Sequence, residues 1–276
     1  MLELEHTYRV VDVHSSIDPA GGNRTDGSYA IGPERLELEM HQAGIVRSVV
    51  FPTTQRDEPN YLTANNTVAR LSVDRPFVAF ARISGQIDPR TDLRARLQNI
   101  RSQRRSFHSS PSDIRQYGLD HRFHGFKLNP PTDGLPDEEV LDALDSIGEP
   151  VQVHAGVDFP PKLIEKTLLG RGFPVIIEHF GGYPYDATLA ERTIDLLDAY
   201  DQCYLETSFV GDRWPIERAL REHPDRICFG SGAPQRHPNV AMMEILTLDV
   251  TEDMLKRAFS TNACSIVPAL APGEEI

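Results

Sequence analysis

Cysteine is scarce in this sequence: Cys203, Cys228 and Cys264 are the three in 276 residues. They are odd in number, scattered and without a CxxC pair. Neither a disulfide framework nor a cysteine-rich zinc module is expected. Cys203 and Cys228 fall inside apolar runs, which reads as buried, reduced thiols in a cytoplasmic protein. Long apolar runs are missing as well, and no stretch approaches the roughly 20 residues of a membrane span. The opening MLELEHTYR carries acidic residues and no apolar core, so it does not read as a secretory signal. Positive charge is in deficit: 28 Lys and Arg stand against 41 Asp and Glu, a formal net charge of −13. That balance argues against nucleic acid or an anionic membrane as partner. GxGxxG, Walker A, HExxH, GxSxG and EF-hand patterns are all absent.

Short β-rich apolar runs are what the chain does contain. They cover residues 9–14, 46–52, 76–83, 123–129, 150–154, 174–179, 203–208 and 226–231. Several are continuously apolar, as parallel strands covered on both faces require. Helical patterns separate them, at 33–44, 61–73, 137–147, 162–169, 189–197, 215–222 and 252–263. The basic, Ser-rich stretch RSQRRSFHSSPSD (101–113) reads as a surface loop. Eight strands alternating with helices over residues 1–276 predict a single-domain (β/α)8 barrel, with an open doubly wound sheet as the alternative. The barrel is favoured because polar residues gather at the C-terminal ends of the strands, where barrel enzymes build their sites.

Three of the ten histidines, His14, His154 and His179, end three different apolar runs. A lone histidine of this kind is most simply a core residue bonded to a backbone carbonyl. Three converging on one pocket suit a divalent metal that keeps an open position for water or a carbonyl oxygen. Lys127 and Arg82 stand near the ends of the fourth and third strands. Each is either an anchor for a substrate carboxylate or one half of an internal ion pair. For Lys127 the expected internal partner is Glu206. Glu206 itself reads either as that partner or as a general acid or base with a raised pKa. Alternation along the sixth strand points Glu178 away from His179, toward the helices, as a structural residue. Thr53, Thr54, Gln55 and Arg56 follow the second strand.

The order and spacing of several segments resemble the amidohydrolase superfamily, in the branch related to aminocarboxymuconate semialdehyde decarboxylase. DVHSSID resembles its first-strand D-x-H-x-H, GFKLNPP its fourth-strand segment, VQVHAG its fifth and IIEHFGG its sixth. RICFGSGAP resembles its eighth, and TNACSIV the closing helix. The resemblance implies metal ligands at His14 and His154, and a substrate-polarising or water-activating histidine at His179. It also places Ser16 where the family has a second histidine and Gly232 where it has an aspartate. One divalent ion, zinc by preference, would then be held by a regrouped His14, His154 and His179 with Glu178 or Glu206. The metal-free state is favoured, since ligand number carries metal affinity. The implied activity is hydrolysis of an amide, ester or lactone, or decarboxylation, of a small carboxylated molecule. His179 and Glu206 would be catalytic, with Lys127, Arg82 and Ser16 binding substrate. The alternative is a catalytically silent relative that binds a small molecule or a partner. The resemblance also admits a homodimer.

Overall fold

The computed structural model describes residues 6–19, 30–54 and 61–272, so Gln55 and Arg56 lie outside the described residues. Eight parallel strands form one sheet in sequence order: β1 (Val10–Ile17), β2 (Ile45–Pro52), β3 (Phe77–Ile83), β4 (Phe123–Leu128), β5 (Val151–Val153), β6 (Val175–Ile177), β7 (Cys203–Glu206) and β8 (Ile227–Cys228). The sheet is closed between its first and last strands by the segment after β8. Val13 N–H donates to Phe229 O at 3.0 Å, Gly232 N–H to His14 O at 3.1 Å and Ser16 N–H to Ala233 O at 2.8 Å. The result is the predicted (β/α)8 barrel.

Helices cover the outside because their sequences start and stop there. Asp137 accepts from Val140 N–H to open Glu138–Ile147, and Gly148, at φ 76, ends that helix in the left-handed conformation glycine tolerates. Asp186 and Asp212 cap Ala187–Asp195 and Arg213–Glu222 in the same way. The apolar faces of these helices meet the outward side chains of the strands in one large core. A second, smaller core fills the barrel interior. Val11, Val13, Val49, Phe51, Val78, Phe80, Ile176 and Cys228 point inward, and Ala263, Ile266, Val267 and Leu270 floor the N-terminal end of the barrel beneath them.

Several boundaries differ from the expected ones. β1 does not end at His14 but runs on to Ile17. The pairing of Asp12 with Ser48 and of Ser15 with Val50 leaves one extra residue in β1, a bulge. The bulge reverses the strand's parity. Val11 and Val13 face inward below it, and His14 and Ser16 face the mouth above it. β5, β6 and β8 are shorter than their apolar runs. The stretch 101–113 is not all loop, since the helix Pro111–Leu119 begins within it under a Ser110–Asp113 capping box. The helices Leu93–Ile100 and Pro238–Leu246 were not anticipated. Among the described residues no helix is long and apolar enough to cross a membrane.

Candidate functional site

At the C-terminal end of the barrel a cavity of about 480 Å³ is lined by His14, Ser16, Phe51, Thr53, Thr54, Arg82, Lys127, Asn129, His154, Glu178, His179, Tyr183 and Phe209, among others. A larger surface cavity of about 840 Å³ lies beside Leu97, Arg101, Arg104 and His108 and shares none of these residues. The strand-end cavity is where the barrel concentrates buried titratable groups, so it is the candidate site.

The three predicted histidines do meet. The His14 and His179 rings are 5.3 Å apart and those of His154 and His179 4.9 Å. Their route there is not the one alternation suggests. β6 ends at Ile177, and Glu178 continues its inward parity. His179 and Phe180 then take left-handed backbone conformations, φ 58 and 51, which swing the His179 ring back into the same site. Glu178 therefore does not face the helices. It is 1% exposed and sits at the centre of the cluster. Its carboxylate takes the Lys127 ammonium and the Gln152 amide at 2.8 Å. His154 Nδ1 lies 3.4 Å away, and His14 Nδ1 and His179 Nε2 each 3.6 Å. A parity count from β6 itself, rather than from His179, would have found it.

Lys127 thus pairs with Glu178 rather than with Glu206, the internal partner in one of its two sequence readings, and its ammonium lies 5.0 Å from the centre of the Phe51 ring. Arg82 is likewise engaged. It donates to Asp133 at 2.8 Å, to Pro52 O at 3.1 Å and to Thr54 Oγ1 at 2.6 Å, and Tyr61 OH bonds the same Asp133. Ser16 lines the cavity wall.

Glu206 lies just beneath the cavity, fully buried. It accepts from His179 N–H at 2.8 Å, Ser208 N–H at 2.8 Å and Ser208 Oγ at 2.7 Å, with His14 Nδ1 at 3.3 Å. Burial raises its pKa, but His14 and His179 outweigh burial and lower it, which goes against the general acid or base with a raised pKa that is one of its two sequence readings. Glu178 behaves alike. Burial works against its charge, yet His14, Lys127 and His154 hold it well below the usual carboxylate range. Burial lowers the Lys127 pKa, with Glu178 opposing. For His14 burial lowers the pKa but Glu178 and Glu206 prevail, so its imidazolium form is favoured. His179 goes the other way: burial pushes it down to about 3, and it is neutral. Its tautomer follows from its partners. Nδ1 donates to Ser208 O at 3.1 Å, which leaves Nε2 to accept from His154 Nδ1 at 3.1 Å.

Fitness for a divalent ion can be judged from the donors. His14, Glu178 and His179 offer ligand atoms all within 4.8 Å of one another, and two imidazoles with one carboxylate form a known zinc set. The spacing permits an ion; the partners do not. Glu178 already carries an ammonium, and the His179 Nε2 lone pair is taken by His154. At Gly232, the position the family resemblance gives to an aspartate, φ is +72 and an added Cβ would overlap the Phe209 ring. Ser16 adds only a neutral hydroxyl. As built, these residues do not fit a resident metal.

Comparison with known proteins agrees with the barrel. The amidohydrolase family profile matches residues 11–268. No curated protein sequence is significantly similar to this chain. Among solved structures, the 5-carboxyvanillate decarboxylase of Novosphingobium aromaticivorans, complexed with manganese and 4-hydroxy-3-methoxy-5-nitrobenzoic acid, superposes with a TM-score of 0.63 at 15% identity, covering 94% of this chain and 95% of that one. The 2,6-dihydroxybenzoate decarboxylase from Rhizobium gives 0.61 at 16% identity, with 96% and 98% covered. A probable 2-pyrone-4,6-dicarboxylic acid hydrolase from Acinetobacter baumannii, with citric acid bound, gives 0.59 at 15% identity, with 94% and 98% covered. The chain belongs to the amidohydrolase family.

Proposed function

We propose that this amidohydrolase-family chain is an enzyme that decarboxylates or hydrolyses a small carboxylated molecule in the cavity at the barrel mouth. The observation that carries this reading is the convergence of His14, Lys127, His154, Glu178 and His179 from four different strands or strand ends on one cavity. His14, Lys127, Glu178 and His179 are buried, and such a concentration of titratable groups is uncommon outside sites that move protons. The three structural relatives act, by name, on carboxylated aromatic or pyrone compounds, which agrees in class with a pocket walled by Phe51, Tyr183 and Phe209.

In this reading His179 and His154 form a proton relay: the neutral His179 Nε2 accepts from His154, whose ring reaches the cavity. Lys127 and His14 supply positive charge for a substrate carboxylate or a developing oxyanion. Arg82 shapes the wall through Asp133 and Thr54. Glu206, with Ser208, holds the histidine tautomers. Free thiols and a net charge of −13 suit a cytoplasmic enzyme of small molecules. A second reading, a receptor without turnover, is favoured by one observation: Lys127 and Arg82 are both neutralised internally.

The test is a panel of aromatic hydroxycarboxylates, lactones and esters of dicarboxylic acids, followed for CO2 release and for acid release. Turnover of one class is expected, with kcat/KM reduced about a hundredfold or more in His179→Asn. Saturable binding without turnover across the panel would establish the receptor instead.

A further inference from the structure

The candidate site contains a cation of its own. The Lys127 side chain is 3% exposed, with its ammonium against Glu178 Oε1 and over the Phe51 ring. Gln152 donates to the same carboxylate oxygen at 2.8 Å. We propose that the Lys127 ammonium takes the electrostatic place of a divalent ion in this barrel, making the chain a metal-independent member of its family.

Three features support this independently. An ion held by His14, Glu178 and His179 would have to share Glu178 with the ammonium, and like charges a few ångström apart in a buried site repel strongly. The His179 Nε2 that would face the ion has one lone pair, already filled by His154 at 3.1 Å. Across the mouth, Phe209 occupies the volume into which a side chain at position 232 would project, and Arg236 stacks on that ring at 4.9 Å. The site has thus exchanged ligands for packing on one side and a metal charge for a lysine charge on the other. The chemistry follows from the exchange. A substrate oxyanion would be met by the Lys127 ammonium, a hydrogen-bond donor, rather than by a Lewis acid.

The inference rests on the proposed site but is read by metal content, so it stands or falls separately from turnover. Wild type, Lys127→Arg, Lys127→Met and Lys127→Gln are purified without chelator or metal-affinity resin. They are then assayed by elemental analysis and titrated with Mn²⁺ by electron paramagnetic resonance. Wild type and Lys127→Arg are expected to carry less than about a tenth of an ion per chain and to leave the free Mn²⁺ signal unchanged. The two neutral variants expose Glu178 to the ion, and each is expected to gain about a hundredfold in Mn²⁺ affinity. Adding His14→Ala should abolish the gain. One ion per wild-type chain, lost in His14→Ala, overturns the proposal. A folded Lys127→Met or Lys127→Gln with no gain overturns it too. Should neither variant fold, the wild-type stoichiometry decides. A metal-free wild type that turns nothing over would leave this inference intact and remove the proposed reaction.

Discussion

Glu206 collects four hydrogen bonds without reaching solvent, two of them from the main chain of His179 and Ser208. It is a positioning group, and its removal has a distinct signature. Glu206→Gln keeps the volume but replaces one acceptor oxygen with a donor, so a loss of about 2–4 kcal/mol in urea unfolding is expected. Ser208→Ala removes a single hydroxyl and should cost only about 1 kcal/mol. Equal melting curves for Glu206→Gln and wild type would mean that the network does not hold the histidines. Gly232 offers a second residue-scale test. Gly232→Asp meets both a left-handed backbone and the Phe209 ring, so a loss of about 2–4 kcal/mol is expected. Part of it should return in the Phe209→Ala background, where the steric overlap is gone. A Gly232→Asp chain as stable as wild type would show that the mouth is roomier than its packing implies.

Between strand and helix, the turn Glu178–Gly181 decides which side chains reach the site. His179 at φ 58 lies in the region that asparagine enters readily and β-branched residues avoid. His179→Asn should therefore fold nearly as well as wild type, while His179→Val should be less stable than His179→Asn by about 1–2 kcal/mol. Thermal melts of the pair measure that difference directly, and the reverse order would remove the backbone argument. The same turn shows where sequence reading stops. Apolar runs and caps were enough to place eight strands and most helices, because burial and capping are local signals. Side-chain direction was not legible at two points. In β1 a one-residue bulge brings His14 and Ser16 to the mouth. After β6, alternation counted back from His179 assigned Glu178 to the wrong face. Bulges and left-handed residues are fixed by tertiary closure, and neither VVDVHSSI nor VIIEHFGG carries a glycine at the deviating residue to announce it. The partner of Lys127 was missed for the same reason, since it depends on that direction.

Across the whole molecule the three cysteines report on packing. Cys203 and Cys228 are buried and Cys264 is partly exposed. One thiol per native chain should react promptly with a thiol reagent, and all three after unfolding. Burial pushes the Cys203 thiol from 9.0 up to about 12 and raises Cys228 as well. Both stay protonated in the fold while the unfolded chain ionises. Their contribution is constant below about pH 9 and turns against the fold above it, by about 1.4 kcal/mol per pH unit for each thiol. Denaturant midpoints measured from pH 8 to 10.5 should fall, and Cys203→Ala should fall less steeply than wild type. Parallel slopes for the two proteins would contradict the burial of Cys203.

Barrel closure joins residues far apart in the chain. Asp12 accepts from Ser231 N–H at 2.9 Å and from its hydroxyl at 2.6 Å, across 219 positions. On a ribosome adding 5–20 residues per second, β1 would wait roughly 10–40 s for that partner. Until then Val11, Val13 and the inner faces of the following strands have no floor and no closed seam. Nascent chains stalled before Ser231 should accordingly be held by chaperones or digested by protease. Chains stalled with Leu270 clear of the exit tunnel should be neither.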